Sequence, residues 1–227
     1  EGAEYEQGTL GESAETIQLA KYGKALWISD QAIINDDLSA FSRTPQLLGA
    51  AAARLESNLV YNILTANPVM ADGKPVFHAD HHNVADASEI SIEGVTEARK
   101  LMRQQKGLSG IEYIDVTPAF LVVGPENETS AFRIVSQQMV PNQLGFINPF
   151  MASLKVIVDP RIQGKKWFLI ADPMQIDTIE FATLEGQSGP MIQQQIWFFS
   201  DTLQYKVSHV CAAKAIDWRS MVYNPGA

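Results

Sequence analysis

The run His78-Ala79-Asp80-His81-His82-Asn83 sets three imidazoles and a carboxylate within five residues. These are side chains that hold Zn or Ni. In an extended loop His78, Asp80 and His82 share one face, so a metal-dependent hydrolase built on that triplet is one reading of the chain. A mononuclear site needs ligands that converge, and the sequence offers no evident partner from elsewhere. The one remaining histidine is His209, and the paired-histidine helix of the zincins is missing. The plainer reading is that Asp80 and His81 cap turns and bond backbone. Cys211, the lone cysteine, excludes an internal disulfide and reads as a small buried side chain. Asp217-Trp218-Arg219 spells a partly buried ion pair against an aromatic ring. No nucleophile elbow, phosphate loop or dinucleotide fingerprint is present, and Gly107-Leu108-Ser109-Gly110 reads as a turn. The residues therefore point to a chain that is not an enzyme and carries no cofactor.

The elements around these residues mix helix and strand. Thr44-Pro45 is a helix start, with Thr as N-cap and Pro at the first helical position. Leu48, Leu55, Leu59 and Ile63 then keep a helical period to Asn67-Pro68. A helix over 45–66 is about 30 Å long and is read as a structural spine whose core face is those four residues. A shorter start sits at Asn35-Asp36-Asp37. Helices are predicted over Ile92–Lys106, ended by Gly107, and over Glu126–Gln138. Strands are predicted at Pro118–Gly124, Leu154–Val158, Trp167–Ala171, Ile176–Phe181, Gln194–Phe199 and Leu203–Ala213. The pair flanking Pro160–Gly164 reads as a hairpin. The sum is an α+β fold.

The chain has 227 residues, with 26 acidic against 17 basic side chains and a net charge of −9. No basic stripe accompanies Lys165-Lys166, which argues against direct nucleic-acid reading. An acidic wall suits a container for packed DNA, since it repels phosphate. No run reaches the roughly 18 apolar residues of a membrane span. The first 25 residues read as an acidic hairpin, with strands at Glu4–Thr9 and Thr16–Ile28, that cannot bury itself. Glu4, Glu6, Glu12 and Glu15 supply charge, and Tyr5, Leu10 and Ile17 supply apolar teeth. The expectation is an arm that docks on a neighbouring subunit, with Arg99, Arg103, Lys165 and Lys166 as candidate basic partners.

Ala32-Ile33-Ile34-Asn35-Asp36-Asp37-Leu38, Ala51-Ala52-Ala53-Arg54-Leu55-Glu56, Leu64-Thr65-Ala66-Asn67-Pro68 and Phe77-His78-Ala79-Asp80-His81 together resemble the major head subunit of Mu-like tailed phages. That family also occurs fused downstream of a prohead protease. The resemblance continues through Arg103-Gln104-Gln105-Lys106-Gly107-Leu108, Asn148-Pro149-Phe150, Ile176-Asp177-Thr178-Ile179-Glu180, Leu184-Glu185-Gly186 and Ala215-Ile216-Asp217-Trp218-Arg219. It covers essentially the whole chain. It implies the Hong Kong 97-type capsid fold, with an E-loop hairpin, a peripheral (P) domain carrying the spine helix and an axial (A) domain. The expected division is E-loop 1–25, P domain 26–91, A domain 92–178, a return to the P domain over 179–212, and a C-terminal segment 213–227 with the A domain. The implied function is a structural capsid protein that assembles into the hexamers and pentamers of an icosahedral head around double-stranded DNA, without sequence-specific binding. The implied partners are further copies of itself, a prohead protease, a scaffold and a portal, with no membrane. The implied location is the virion, assembled in the bacterial host cytoplasm. An encapsulin nanocompartment shell is the alternative on the same fold. The founding member of this fold crosslinks through an E-loop Lys. Here the hairpin tip has none, and Lys21 and Lys24 sit at its base, so a covalent chainmail is not expected.

Overall fold

A computed structural model describes residues 14–29, 43–136, 148–197 and 202–227. Among the expected elements, Glu4–Thr9 and Asn35-Asp36-Asp37 lie outside the described residues. The described residues divide into two compact units: those of 67–178 with 215–227 and with 14–15, and those of 16–66 with 179–214. We call these the core unit and the ribbon unit. Residues 67–91 thus share a unit with 92–178. The cause is local. Asn67 takes φ +50° at the end of the helix, and its side chain closes on the Phe77 backbone, accepting from N at 2.7 Å and donating to O at 3.0 Å. The helix ends in this left-handed turn, and the loop that begins there folds into the core unit.

The core unit holds four strands: β2 (Pro118–Val123), β3 (Lys155–Val158), β4 (Trp167–Ala171) and β8 (Met221–Asn224). Their order is β3-β2-β4-β8. Both faces of the sheet are covered, as near-continuous apolar runs require. On one face Leu121, Val123, Trp167, Leu169 and Val222 meet Val95, Ala98 and Met102 of α2 (Ile92–Arg103) and Ala131 and Ile134 of α3 (Glu128–Ser136). On the other, the rings of Phe77, Phe168 and Tyr223 stand 5.3–5.5 Å apart. Helix α2 starts at Ser91, whose hydroxyl accepts from Gly94 N. It stops at Arg103, short of the predicted Lys106, because the Gln105 amide donates to the His81 and His82 carbonyls.

The expected hairpin between β3 and β4 does not form. Strand β2 lies between them, parallel to β3 through the α3 crossover and antiparallel to β4. The 159–166 link must therefore cross the end of β2, and it does so at Gly124. A Cβ there would sit 2.1 Å from the Ile162 carbonyl oxygen, so only glycine lets the link pass.

The ribbon unit is built on β7 (Thr202–Ala215). Strand β1 (Ala20–Ser29) pairs antiparallel with it from Ala20 opposite Cys211 to Ser29 opposite Thr202. On its other side β7 takes β5 (Ile179–Thr183) and β6 (Met191–Trp197), the latter from Met191 opposite Ser208 to Trp197 opposite Thr202. The strand at 20–29, expected in a free-standing arm, is therefore half of a ribbon within its own chain. An unpaired row of backbone groups is satisfied by the nearest long strand, and that strand is β7. Helix α1 (Thr44–Ala66) packs on this ribbon. Leu48 joins Ile28, Tyr205 and Val207 in a small core, and His209 Nε2 stands 2.9 Å from Glu56 Oε1. No helix among the described residues is long and apolar enough to cross a membrane.

Candidate functional site

The histidine-rich loop folds around one backbone carbonyl. Val76 O accepts from Asn83 Nδ2 at 2.8 Å and lies 3.0 Å from His81 Nδ1. The other ring nitrogen of His81 is 2.7 Å from Asp72 Oδ2, and the ring stacks on Trp218 at 4.3 Å and 3°. His78 caps the short turn Ala79–His81, its Nδ1 accepting from Asp80 N. Asp80 pairs with Lys74 at 2.7 Å. His82 is exposed at a left-handed position, φ +51°. The triplet His78, Asp80 and His82 therefore does not converge. Each member is spent on a cap, an ion pair or a turn, and no group of three potential ligands gathers among the described residues. The geometry follows the plainer reading of the loop, in which these side chains cap turns and bond backbone. It also moves the capping role to His78 and leaves His81 as the buried member of the cluster.

Charge in this region is matched locally. Hydrogen bonding and charge from Lys74 hold the Asp80 carboxyl below its ordinary range. Burial works against ionised Asp72, but the Lys74 amide and the His81 ring outweigh it and hold Asp72 low as well. Arg103 is bidentate on Asp115 at 2.7 and 3.0 Å. That removes it from the bases free to receive an acidic arm. A groove of about 700 Å³ is lined by Asp72, Lys106, Tyr113, Asp217, Trp218 and Arg219, among others. Arg219 closes on Asp217 at 2.6 Å and lies 5.8 Å from the Trp218 ring. Lys106 lies 5.6 Å from the Tyr113 ring. Cys211 is fully buried in β7, and burial first, then the Glu56 charge, push its thiol up. That is the environment of an inert cysteine.

Of the predicted arm, Glu4, Tyr5, Glu6, Leu10 and Glu12 lie outside the described residues. Glu15 accepts from Ala71 N at 2.7 Å, so it bonds its own chain. Ile17 is half-buried, and Lys214 Nζ donates to the Thr16 carbonyl beside it. On the spine, Leu48 and Ile63 are buried and Leu55 and Leu59 are half-buried. Leu55 borders a cleft of about 260 Å³ with Ala51, Ala52, Tyr22, Val207 and His209.

Sequence reasoning missed the feature that stands out most. The ribbon presents Leu26 and Trp27 on β1, and Met191, Ile192, Ile196 and Trp197 on β6, all exposed, with Ile196 at 67%. All seven residues of β6 are exposed. The readable signal was charge: Gly186 to Ser200 contains no ionisable side chain.

Solved structures share the fold, among them the three that follow. The capsid of Myoviridae phage XM1 superposes with a TM-score of 0.63 at 8% identity, covering 93% of this chain and 74% of its own. The capsid of the empty GTA particle gives 0.60 at 11%, covering 99% and 80%. The holo-SrpI encapsulin complex from Synechococcus elongatus gives 0.55 at 12%, covering 91% and 73%. This is the Hong Kong 97-type capsid fold, expected from the sequence. No curated protein sequence matches significantly. A family model described as phage capsid protein matches residues 12–224, and by that match the chain belongs to the phage capsid protein family.

Proposed function

We propose that this protein is the major capsid subunit of a Mu-like phage head, assembling into hexamers and pentamers of an icosahedral shell around double-stranded DNA. The observation that carries the reading is the ribbon unit. In a chain of the capsid family, β1 and β6 hold six large apolar side chains exposed, far more than an isolated subunit gains by showing to water. In this reading the ribbon unit supplies the E-loop and P domain, with α1 as the spine, and the core unit is the A domain. Glu4, Tyr5, Glu6, Leu10, Glu12 and Ile17 belong to the arm that reaches a neighbouring copy. The net charge of −9 lets the inner wall slide past packed phosphate rather than bind it. A prohead protease, a scaffold and a portal are the partners during assembly in the host cytoplasm, and the virion is the final location.

The encapsulin likeness supports a second reading, a nanocompartment that encloses protein cargo. Electron microscopy of particles from cells expressing the chain, with nuclease and protein analysis of their contents, separates the two. Closed shells that package nuclease-protected DNA in a phage background are the expected result. Shells that hold only protein favour the nanocompartment. A chain that stays monomeric under every assembly condition removes both.

A further inference from the structure

Strand β6 is an outer edge of the ribbon. It pairs with β7 on one side, and no described strand pairs with its other side. An edge strand offers a row of backbone donors and acceptors, and proteins blunt such rows with lysines, prolines or bulges. The opposite edge, β1, carries Lys21 and Lys24. The β6 edge carries nothing of the kind within Met191-Ile192-Gln193-Gln194-Gln195-Ile196-Trp197. Read from Gln194 outward, this segment is nearly a palindrome: Gln193 mirrors Gln195, Ile192 mirrors Ile196, and Met191 mirrors Trp197.

A palindrome in an antiparallel strand has a specific use. We propose that β6 is a self-recognition edge, pairing antiparallel with β6 of a second copy of this chain about a two-fold axis at Gln194. Two identical strands related by a two-fold are necessarily antiparallel and isologous. In this register Ile192 faces Ile196 of the second copy, Gln193 faces its Gln195, and Met191 faces its Trp197. A partner of different sequence gains nothing from the symmetry, whereas a member of a capsid family meets its own copies.

The register of the ribbon supports the same axis. Directly opposed residues share a face of the sheet. Ile28, Leu203 and Ile196 form one row across β1, β7 and β6, and Lys24, Val207 and Ile192 form another. Ile28, Tyr205 and Val207 on that face are buried in the small core under α1, while Ile192 and Ile196 extend the apolar surface past its edge, exposed. Joining two ribbons at β6 sets Ile196 of each against Ile192 of the other. The broken apolar face becomes continuous through both copies. This mode is β-augmentation: backbone bonds give affinity and alternate side chains give register.

The inference rests on the shell-subunit reading for its partner and names the contact that reading leaves open. The test is Gln194→Cys in the full chain, oxidised after assembly. Opposed residues in an antiparallel pair lie about 4.5–5.5 Å apart at Cα, inside the span of a disulfide. Cys211 is buried and adds no background. A reducible cross-linked dimer is expected as the main band from Gln194→Cys. Gln193→Cys alone should give several-fold less, and a mixture of Gln193→Cys with Gln195→Cys should restore the link. Gln194→Lys sets two ammonium groups face to face across the axis and should lower particle yield. Particles that form normally with no dimer from Gln194→Cys overturn the edge, as does equal cross-linking from positions 193 and 194 or full yield from Gln194→Lys. Absence of particles from the unmodified chain counts instead against the shell reading, and a 194-specific dimer in solution still supports the edge.

Discussion

The two units spend their apolar residues in opposite ways. In the core unit the sheet is covered on both faces. Trp167, Phe168, Leu121 and Leu169 are fully buried, and even the indole N–H of Trp167 donates to the Ser88 carbonyl at 3.1 Å. In the ribbon unit the cluster under α1 joins Ile28, Leu48, Tyr205 and Val207 among the described residues, a cleft opens beside Leu55, and β6 is exposed along its whole length. Among the described residues, the ribbon unit leaves the apolar side chains of β6 and one edge of its ladder uncovered. Large exposed apolar surface marks an interaction site; on β6 it runs the length of a strand, whereas in the core unit exposed apolar residues such as Ile111 and Met174 sit singly on bends and turns.

The sharpest test of that contrast is Gly124→Ala. The added methyl would lie 2.1 Å from a backbone oxygen, with no flexible side chain to give way. The expected cost is above about 4 kcal/mol, the range kept for severe overpacking or misfolding. A variant that melts within a few degrees of the unmodified chain shows that the crossing link can move, and the core unit is then less rigid than described.

Next in size is the pair Leu169→Ala and Leu55→Ala. The first empties a fully buried site and should cost about 2–5 kcal/mol. The second truncates a half-buried side chain at an existing cleft and should cost roughly half as much or less. Equal losses in denaturant titrations would erase the packing difference between the units.

The smallest effect is on acid stability. Asp72, Asp80 and Asp115 are held below the ordinary carboxylate value, and all three lie in the core unit. A depressed folded value gives stabilisation that is complete above the unfolded value of about 3.9. It is lost as pH falls through the folded value. These groups are well exposed, so water and salt screen most of the benefit. Asp72→Asn should flatten the decline in denaturation midpoint between about pH 5 and pH 2, relative to the unmodified chain. Identical declines would mean that the His81 pairing with Asp72 adds nothing to stability.

What was legible in the sequence was local. Thr44-Pro45 and the Leu48-to-Ile63 stripe place α1 within a residue, since caps and periodicity act over a few positions. The apolar run 118–124 gives β2 for the same reason. What failed was long-range. The order β3-β2-β4 depends on a crossover that no local signal records, and the turn residues 160–164 look the same in a hairpin and in a link over a strand. The role of His81 within the histidine loop was not legible because one partner is remote: Trp218, on which His81 stacks, lies 137 positions later (218 − 81). Glu15 bonds a loop amide at Ala71, which nothing near Glu15 announces.

The pairing of β1 with β7 also sets a schedule. Ala20 meets Cys211, 191 positions later (211 − 20). Closing such a loop costs roughly 4–5 kcal/mol of chain entropy before the ladder repays it. On a ribosome β1 emerges early and waits unpaired, and β6, made later, has no sheet to be the edge of until β7 is synthesised. Folding by domains from the N-terminus onward is closed to this unit. The surface proposed to join copies is complete only once β7 has been made, so a growing chain cannot pair through that edge before then.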